Sequence, residues 1–177
     1  MQLSSLIVSM CLSGMANAVN FADYKPQAGV EGAFKDFLQA LYSAAENPKA
    51  TNGFTDFFVP TTGKLVVKSL NGAGASKILG IKQMLMPTDG HKHWNHYPGV
   101  AKVGSETDTS KIYNVVGQID TRYDGGNCSS AHFETNFEVL KDASGDVRLA
   151  PGSGSLALYD DYVVEPEYTP TEYPCHA

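Results

Sequence analysis

The feature that most constrains the fold of this chain is the order of two hydrophobic periodicities along it. Between Gly32 and Phe58, apolar and aromatic residues recur at intervals of three and four, which indicates helices. After a short Val-rich strand and another helical stretch, the chain becomes strand-like, with stretches that alternate with a period of two. This order predicts a small α+β domain with helices laid over one antiparallel sheet.

The helical part divides into three predicted segments. A helix begins at Gly32 and ends before Asn47-Pro48, a short helix or turn covers residues 53–58, and a further helix covers residues 75–86. The predicted buried side of this last helix consists of Ile78, Leu79, Ile81, Met84 and Leu85.

The strands are predicted from Val-rich and alternating stretches bounded by glycine and polar turns. A turn is predicted at residues 71–74, and residues 161–177 read as an acidic tail rich in Tyr and Pro, without a period. The domain is therefore placed at residues 32–160, preceded by an extended lead-in at 19–31. The predicted strands are 64–70, 91–103, 111–123, 131–141, 147–149 and 155–159.

The first 18 residues have the pattern of a secretion signal. Residues 3–15 are apolar and uncharged, and Ala16-Asn17-Ala18 supplies small residues at the positions that a signal peptidase reads. The alternative is a buried N-terminal helix. The apolar run is shorter than the ~20 residues that span a bilayer. We therefore predict cleavage after Ala18 and a secreted, extracellular protein without a membrane anchor.

Charge argues against one class of partner. The net charge is −6, the lysines are scattered, and the only arginines are Arg122 and Arg148. A nucleic-acid-binding domain normally carries a basic stripe, which is missing here. We expect no nucleic-acid partner.

The cysteines suit an oxidising compartment. Removal of the signal removes Cys11 and leaves Cys128 and Cys175, a pair that favours a disulfide between the tail and the loop at 125–130. The alternative is a free, buried Cys128. Asn127-Cys128-Ser129 also matches the N-glycosylation pattern, which makes Asn127 a candidate glycan site. Either modification requires an exposed loop.

Five short segments carry a family resemblance. They are Phe34–Tyr42, Phe54–Phe58, Gly80–Met84, His96–Gly99 and Tyr113–Gly117. Together with the order of elements, they make residues 32–160 resemble the NTF2-like superfamily, most of all its SnoaL-like branch in secreted versions of the kind fungi encode.

The resemblance implies a cone-shaped fold whose curved sheet wraps the helices and leaves an apolar pocket open at one end. It also implies chemistry of the cyclase, isomerase or dehydratase type, with a His or Asp as general acid or base and no cofactor. No catalytic Asp is assigned in this chain from the resemblance. A homodimer through the open face of the sheet is a further expectation of the same kind.

The densest polar cluster is the segment 91–97, and it supplies His91, His93 and His96 as candidate catalytic residues. On a strand, alternate side chains point to opposite faces, so Lys92, Trp94 and His96 share one face and His91 and His93 the other. We expect one of these faces to line a cavity. An imidazole suits proton transfer near neutral pH because its ordinary pKa is about 6.5.

Two alternatives to catalysis are open for these histidines. His91 and His93 form a His-x-His pair that, with His132 or Glu134 from a neighbouring strand, has the ligand types of an open metal site. The other alternative is a structural or surface role at the start of a strand.

The sequence thus supports two hypotheses about function. The first is a binder or enzyme for a small apolar or aromatic molecule, and the second is a non-catalytic secreted interaction protein such as a fungal effector or cell-surface factor. In the first, the pocket is predicted to be lined by Phe34, Phe37, Leu41, Phe57, Trp94 and Tyr113.

Overall fold

The computed structural model describes residues 19–165 and 173–174 of the chain. Its helices are α1 (Gly32–Glu46), α2 (Asn52–Thr55) and α3 (Ala75–Leu85). Its strands are β1 (Lys25–Pro26), β2 (Lys64–Val67), β3 (Leu70–Ala73), β4 (Lys92–Glu106), β5 (Ser110–Tyr123), β6 (Asn127–Leu140), β7 (Leu156–Glu165) and β8 (Tyr173–Pro174). None of the described helices is long and apolar enough to cross a membrane.

One curled sheet runs through the molecule in the order β1-β4-β5-β6-β7-β2-β3, and β8 pairs with β6 off this path. The strands β4 to β7 form an antiparallel meander, while β2 runs parallel to β7. Bulges in β4 between Pro98 and Ala101 and between Val103 and Ser105 interrupt its pairing with β5. Bulges of this kind bend and twist a strand, which curls the sheet around the helices. The predicted α+β fold class is confirmed.

The core lies between α1 and the concave face of the sheet. Phe34, Phe37, Leu38 and Leu41 have no exposed surface, and their spacing places them on one side of the helix. Across from them, Phe137 of β6 is equally buried. Full burial of one such side chain stabilises a fold by about 1.5–3 kcal/mol, so this contact holds α1 on the sheet.

The region after α2 differs from the sequence prediction. Residues 64–70, predicted as one strand, are split by a tight turn at Lys68-Ser69, because Val67 pairs with Leu70 in a hairpin. The predicted turn at 71–74 is largely the second arm of that hairpin. Pairing of the two arms satisfies the backbone groups that a single edge strand would leave open.

Two further strand boundaries near the C-terminal end differ from the prediction. The predicted strand at 147–149 is reduced to a single bridge between Lys141 and Val147. Strand β7 continues to Glu165, five residues beyond the predicted end of the domain at residue 160, because it pairs with both β6 and β2. The start of the expected tail is therefore part of the sheet.

Helix α3 buries only part of the predicted face: Ile78 and Ile81 are buried as predicted, and Leu85 packs against the core. Met84, predicted to be buried, is 58% exposed, whereas Lys82 is 2% exposed. The buried side of the helix consists of Ile78, Ile81 and Lys82, which are three and four positions apart. Lys82 can be buried because its ammonium donates to the backbone carbonyls of Asn47 and Ala50.

Candidate functional site

A cavity of about 300 Å³ lies between the concave face of the sheet and the ends of the helices. Its size is at the lower end of the range usual for small-molecule sites. Six strands, the β2–β3 turn and all three helices contribute to its wall. The lining residues are Ala45, Phe54, Leu65, Val67, Lys68, Ser69, Leu70, Lys82, Leu85, Lys92, Trp94, His96, Ile119, Thr121, Ala131, Phe133, Tyr159 and Asp161.

His96 is the one predicted catalytic histidine that lines this cavity. It is 5% exposed, and its ring stacks on Tyr42 with the centroids 4.2 Å apart. The edges of Trp94 and Phe133 approach the same ring at about 6 Å. Aromatic packing on several sides limits the ring to one orientation.

The last residue of α1, Glu46, determines the tautomer of the neutral His96 ring. Its Oε1 accepts hydrogen bonds from the backbone N–H of His96, at 2.7 Å, and from Nδ1, at 2.9 Å. Because a carboxylate only accepts, the proton of the neutral imidazole lies on Nδ1 and the lone pair on Nε2. Nε2 has no hydrogen-bond partner among residues 19–162. This leaves a free basic nitrogen on a ring that forms part of the cavity wall.

The second ionisable group of the cavity is Asp161, at the centre of β7. Burial raises the pKa of its carboxyl from 3.8 to about 7, against the opposing effect of a hydrogen bond from Thr135. Thr135 lies directly opposite Asp161 in the β6–β7 register, and the hydroxyl of Tyr159 donates to the same carboxyl. The group therefore exchanges its proton near neutral pH, as a general acid or base requires.

The strand face that lines the cavity is the one formed by Lys92, Trp94 and His96. The other predicted histidines lie on the opposite face and are exposed. His91 pairs with Asp124 at the end of the sheet, which raises the pKa of His91. His93 stands opposite Arg122 in the register and is likewise outside the cavity.

The metal alternative has no geometric support in the described part of the chain. No group of three His, Cys, Asp or Glu side chains there is close enough to hold a metal ion. His132 is exposed on the outer face of β6, opposite Gln118, and Glu134 accepts a hydrogen bond from Tyr162 at 2.5 Å.

Of the six predicted pocket residues, Trp94 lines the cavity and the other five lie in the core. Tyr113 stacks on Phe34 at 3.9 Å and donates its hydroxyl to Glu31 at 2.5 Å, away from the cavity. Phe37 packs edge-on against Phe57 at 5.4 Å. These aromatic residues and Leu41 are buried in the packing between the helical segment and the sheet. The cavity lies beyond the C-terminal end of α1.

Sequence reasoning missed three polar groups that shape the cavity: Glu46, Lys82 and Asp161. A signal was present for Asp161, since the β-branched and aromatic residues Tyr162, Val163 and Val164 follow it and favour a strand over a tail. For Glu46 and Lys82 there was no local signal, because each forms hydrogen bonds with residues 32–50 positions away in the chain.

The glycan and disulfide candidates lie at the start of β6. Asn127 is exposed, and Cys128 is disulfide-bonded. No partner cysteine lies within the described residues, so its pairing with Cys175 stays a prediction. The short strand β8 places Tyr173 opposite Cys128 in the sheet.

Comparisons with known proteins find similarity in structure alone. No protein-family model matches the sequence, and no curated protein matches it. ActVI-ORFA from Streptomyces coelicolor has a TM-score of 0.56 at 10% identity, over 78% of this chain and 100% of that one. Aln2 from another Streptomyces species has a TM-score of 0.54 at 9% identity, over 74% and 90%.

A protein from Catenulispora acidiphila in complex with S-DNPA has a TM-score of 0.53 at 11% identity, over 76% of this chain and 93% of that one. Identities this low carry the fold and no activity. The order of elements, the curled sheet and these neighbours together show that the chain has the NTF2-like fold predicted from its sequence.

Proposed function

We propose that this protein binds a small ring-bearing molecule in the cavity and rearranges it by proton transfer, in a cyclisation, isomerisation or dehydration. The observation that carries the proposal is the presence of two proton-transfer groups, His96 and Asp161, in the wall of one apolar cavity. Apolar and aromatic walls with a few convergent polar groups are typical of small-molecule sites.

The two groups suit complementary roles. Glu46 leaves the lone pair of His96 at Nε2, which makes this nitrogen the candidate general base. Asp161, with its pKa of about 7, holds a proton for a substantial fraction of the time at neutral pH and is the candidate general acid. A base removes a proton from carbon or oxygen, and an acid protonates the leaving or carbonyl oxygen. Together they would account for a dehydration or a ring closure without a cofactor.

The structural neighbours support the binding half of the proposal. One of them, from Catenulispora acidiphila, is seen in complex with S-DNPA, so a protein with this fold can bind a small molecule. For this chain, the size and lining of the cavity define the ligand as an apolar ring system that fits a volume of about 300 Å³.

Binding can be tested with a reporter that the chain already contains. Trp94 is the single tryptophan and lines the cavity. Titration with neutral bicyclic aromatic probes should therefore change its fluorescence. Ala131→Met fills the cavity and should abolish the change, whereas Ala143→Met on an exposed hairpin should not. An unchanged response in Ala131→Met would place the binding elsewhere.

Catalysis can be tested without knowing the substrate. We would purify the wild-type protein and two variants, Asp161→Asn and His96→Gln, from a secreting eukaryotic host. Native mass spectrometry then gives the mass of any small molecule bound to each protein. An inactive variant should retain unreacted substrate, so its bound small molecule should differ from that of the wild type in mass or, for an isomer, in chromatographic retention. The same molecule in all three proteins would argue for a binder. Empty cavities together with failed probe titrations would favour the non-catalytic interaction protein.

We further propose that the mature protein is secreted and begins at Val19, with Cys128 bridged to Cys175 and Asn127 available for glycosylation. The disulfide-bonded state of Cys128 and the pairing of β8 beside it support the bridge. The exposure of Asn127 supports access for a glycan. A homodimer through the outer face of the sheet stays a prediction.

A further inference from the structure

The cavity collects positive charge in an acidic protein. The chain has a net charge of −6 and 13 lysines and arginines, of which Lys68, Lys82 and Lys92 line this one cavity. The ammonium of Lys82 is engaged by the carbonyls of Asn47 and Ala50. Lys68 and Lys92, by contrast, have no carboxylate within ion-pair distance among residues 19–162.

The backbone at Lys68 is the more unusual of the two. It has a φ of 54°, and it is the single non-glycine residue with positive φ in the described part of the chain. It occupies the first central position of the two-residue β2–β3 turn, where such hairpins favour Gly, Asn or Asp. Backbone strain from a positive φ at a non-glycine residue persists where the surrounding structure enforces it, and such residues cluster at functional sites. Compared with glycine, lysine adds an ammonium on a long chain. Lys68 lines the cavity and is exposed, so this ammonium lies where the cavity opens to solvent, which we call the mouth.

Lys92 approaches the cavity from the other side, on β4. Its ammonium lies 5.4 Å from the centroid of the Trp94 ring and 5.8 Å from that of Tyr123. Burial lowers the pKa of Lys92, which means that its charge has lost part of its hydration. A partly desolvated cation gains more from an anion than an exposed one does.

The carboxyl groups of the site leave this positive charge uncompensated. Asp161 is the one carboxyl in the cavity lining, and its raised pKa keeps it partly neutral at physiological pH. Glu46 is turned to His96, at 2.9 Å from Nδ1. The mouth therefore presents cations to the ligand, while the interior presents apolar walls and the acid–base pair.

We propose that the ligand of this cavity is a ring-bearing carboxylate. Its carboxylate group lies between Lys68 and Lys92, and its ring system lies against Trp94, Phe133 and Leu85. This inference rests on the proposed function and adds the substrate class to it. Anchoring the carboxylate at the mouth would direct the opposite end of the molecule toward His96 and Asp161.

The test compares pairs of probes with the same shape and different charge. Isothermal titration calorimetry measures the binding of 2-naphthoate and 2-naphthamide, and of benzoate and benzamide, to the wild type and three variants. Lys68→Gly removes the ammonium while relieving the positive-φ strain, so it should fold at least as well as the wild type. Lys92→Met keeps the aliphatic chain. Lys77→Met, on the exposed side of α3, makes the same change in net charge outside the cavity.

The wild type should bind each acid at least about tenfold more tightly than its amide, as expected for one charge-assisted hydrogen bond. Lys68→Gly and Lys92→Met should each lose most of this preference while their affinity for the amides stays unchanged. Lys77→Met should keep the preference. The preference should also shrink as ionic strength rises, because salt screens the mouth.

Two results would overturn this inference and leave the proposed function standing: equal binding of acid and amide to the wild type, or a preference that survives in both cavity variants. Failure of all four probes to bind the wild type would instead remove the proposed function, and the carboxylate with it. Thermal unfolding of each variant accompanies the titrations, so that a loss of affinity is not mistaken for a loss of fold.

Discussion

The Oε1 atom of Glu46 accepts hydrogen bonds from both the backbone N–H and the Nδ1 of His96, at 2.7 Å and 2.9 Å. The two residues are 50 positions apart in the chain, one at the end of α1 and the other near the start of β4. This contact ties the helix to the sheet next to the cavity. It also determines which nitrogen of the imidazole is available for chemistry.

The first prediction concerns this pair. Glu46→Ala leaves two buried N–H groups of His96 without an acceptor, and each such loss costs about 1–3 kcal/mol. We expect the free energy of unfolding to fall by roughly 2–5 kcal/mol. Glu46→Gln keeps an acceptor oxygen and should lose about 1 kcal/mol. Urea unfolding measures both variants, and equal losses would contradict the role given to the carboxylate oxygen.

Asp161 leads to a prediction about pH. Its carboxyl has a pKa of about 7 in the folded protein and an ordinary value of 3.8 when exposed. Between these values the folded state holds a proton that the unfolded chain has released, so the free energy of unfolding falls as the pH rises through this window. Three pKa units correspond to a decrease of roughly 4 kcal/mol at most. Below and above the window the contribution of this group is constant.

Asp161→Asn should remove that decrease. Urea unfolding of the wild type and the variant at several pH values gives the difference between their free energies of unfolding. The difference should grow in favour of the variant from about pH 4 to about pH 7 and then level off. A difference that does not change with pH would mean that Asp161 titrates normally.

The position of Phe133 in the cavity wall depends on Gly117. A Cβ added at Gly117 would lie 2.6 Å from the Phe133 ring and 2.6 Å from the carbonyl of Tyr97. Gly117→Ala should therefore push the ring into the cavity, lower the free energy of unfolding by about 1–3 kcal/mol and weaken probe binding. Gly80→Ala is the control, since nothing lies within 4 Å of its added Cβ. In helix α3 it should stabilise by about 0.5–1 kcal/mol.

Lys82 is predicted to be structural. Lys82→Met removes the donor to the carbonyls of Asn47 and Ala50, at the C-terminal end of α1, and leaves them facing an apolar side chain. A loss of about 1–3 kcal/mol in the free energy of unfolding is expected. Lys77→Met, one helical turn away on the exposed side, should change it by less than about 0.5 kcal/mol. Similar values for the two variants would show that the buried ammonium adds no net stability.

The proposed disulfide, signal cleavage and glycan give the last prediction. Non-reducing peptide mapping should recover a peptide that contains Cys128 linked to one that contains Cys175, with Val19 as the first residue. Cys175→Ser should then release a free thiol at Cys128 and cost about 3–4 kcal/mol in the loop-closure model. Treatment with a glycosidase shows whether Asn127 carries a glycan. A free Cys128 thiol in the wild type would contradict the bridge.

The sequence by itself determined the fold class and grouped Lys92, Trp94 and His96 on one face of β4, whereas the structure decided that this face meets the cavity. Helical and strand periodicities are local, so the order of α1, α3 and the meander could be read directly, and strict alternation placed Lys92, Trp94 and His96 together. The turn at Lys68-Ser69 and the extension of β7 could not be read in this way. The turn joins a local hairpin, but its two central residues are not the Gly, Asn or Asp that such turns favour. The extension of β7 follows from its pairing with β2, which lies far away in the chain.

The composition of the cavity was decided by tertiary structure alone. Phe34 and Phe37 of α1 and Phe57 after α2 resemble pocket residues in sequence, but packing in the core buries them. Glu46 reaches His96, Lys82 reaches the end of α1, and the β6–β7 register sets Asp161 against Thr135. Each of these contacts joins side chains that are distant in sequence, and burial in the assembled domain is what raises the pKa of Asp161. No pattern within one segment carries that information.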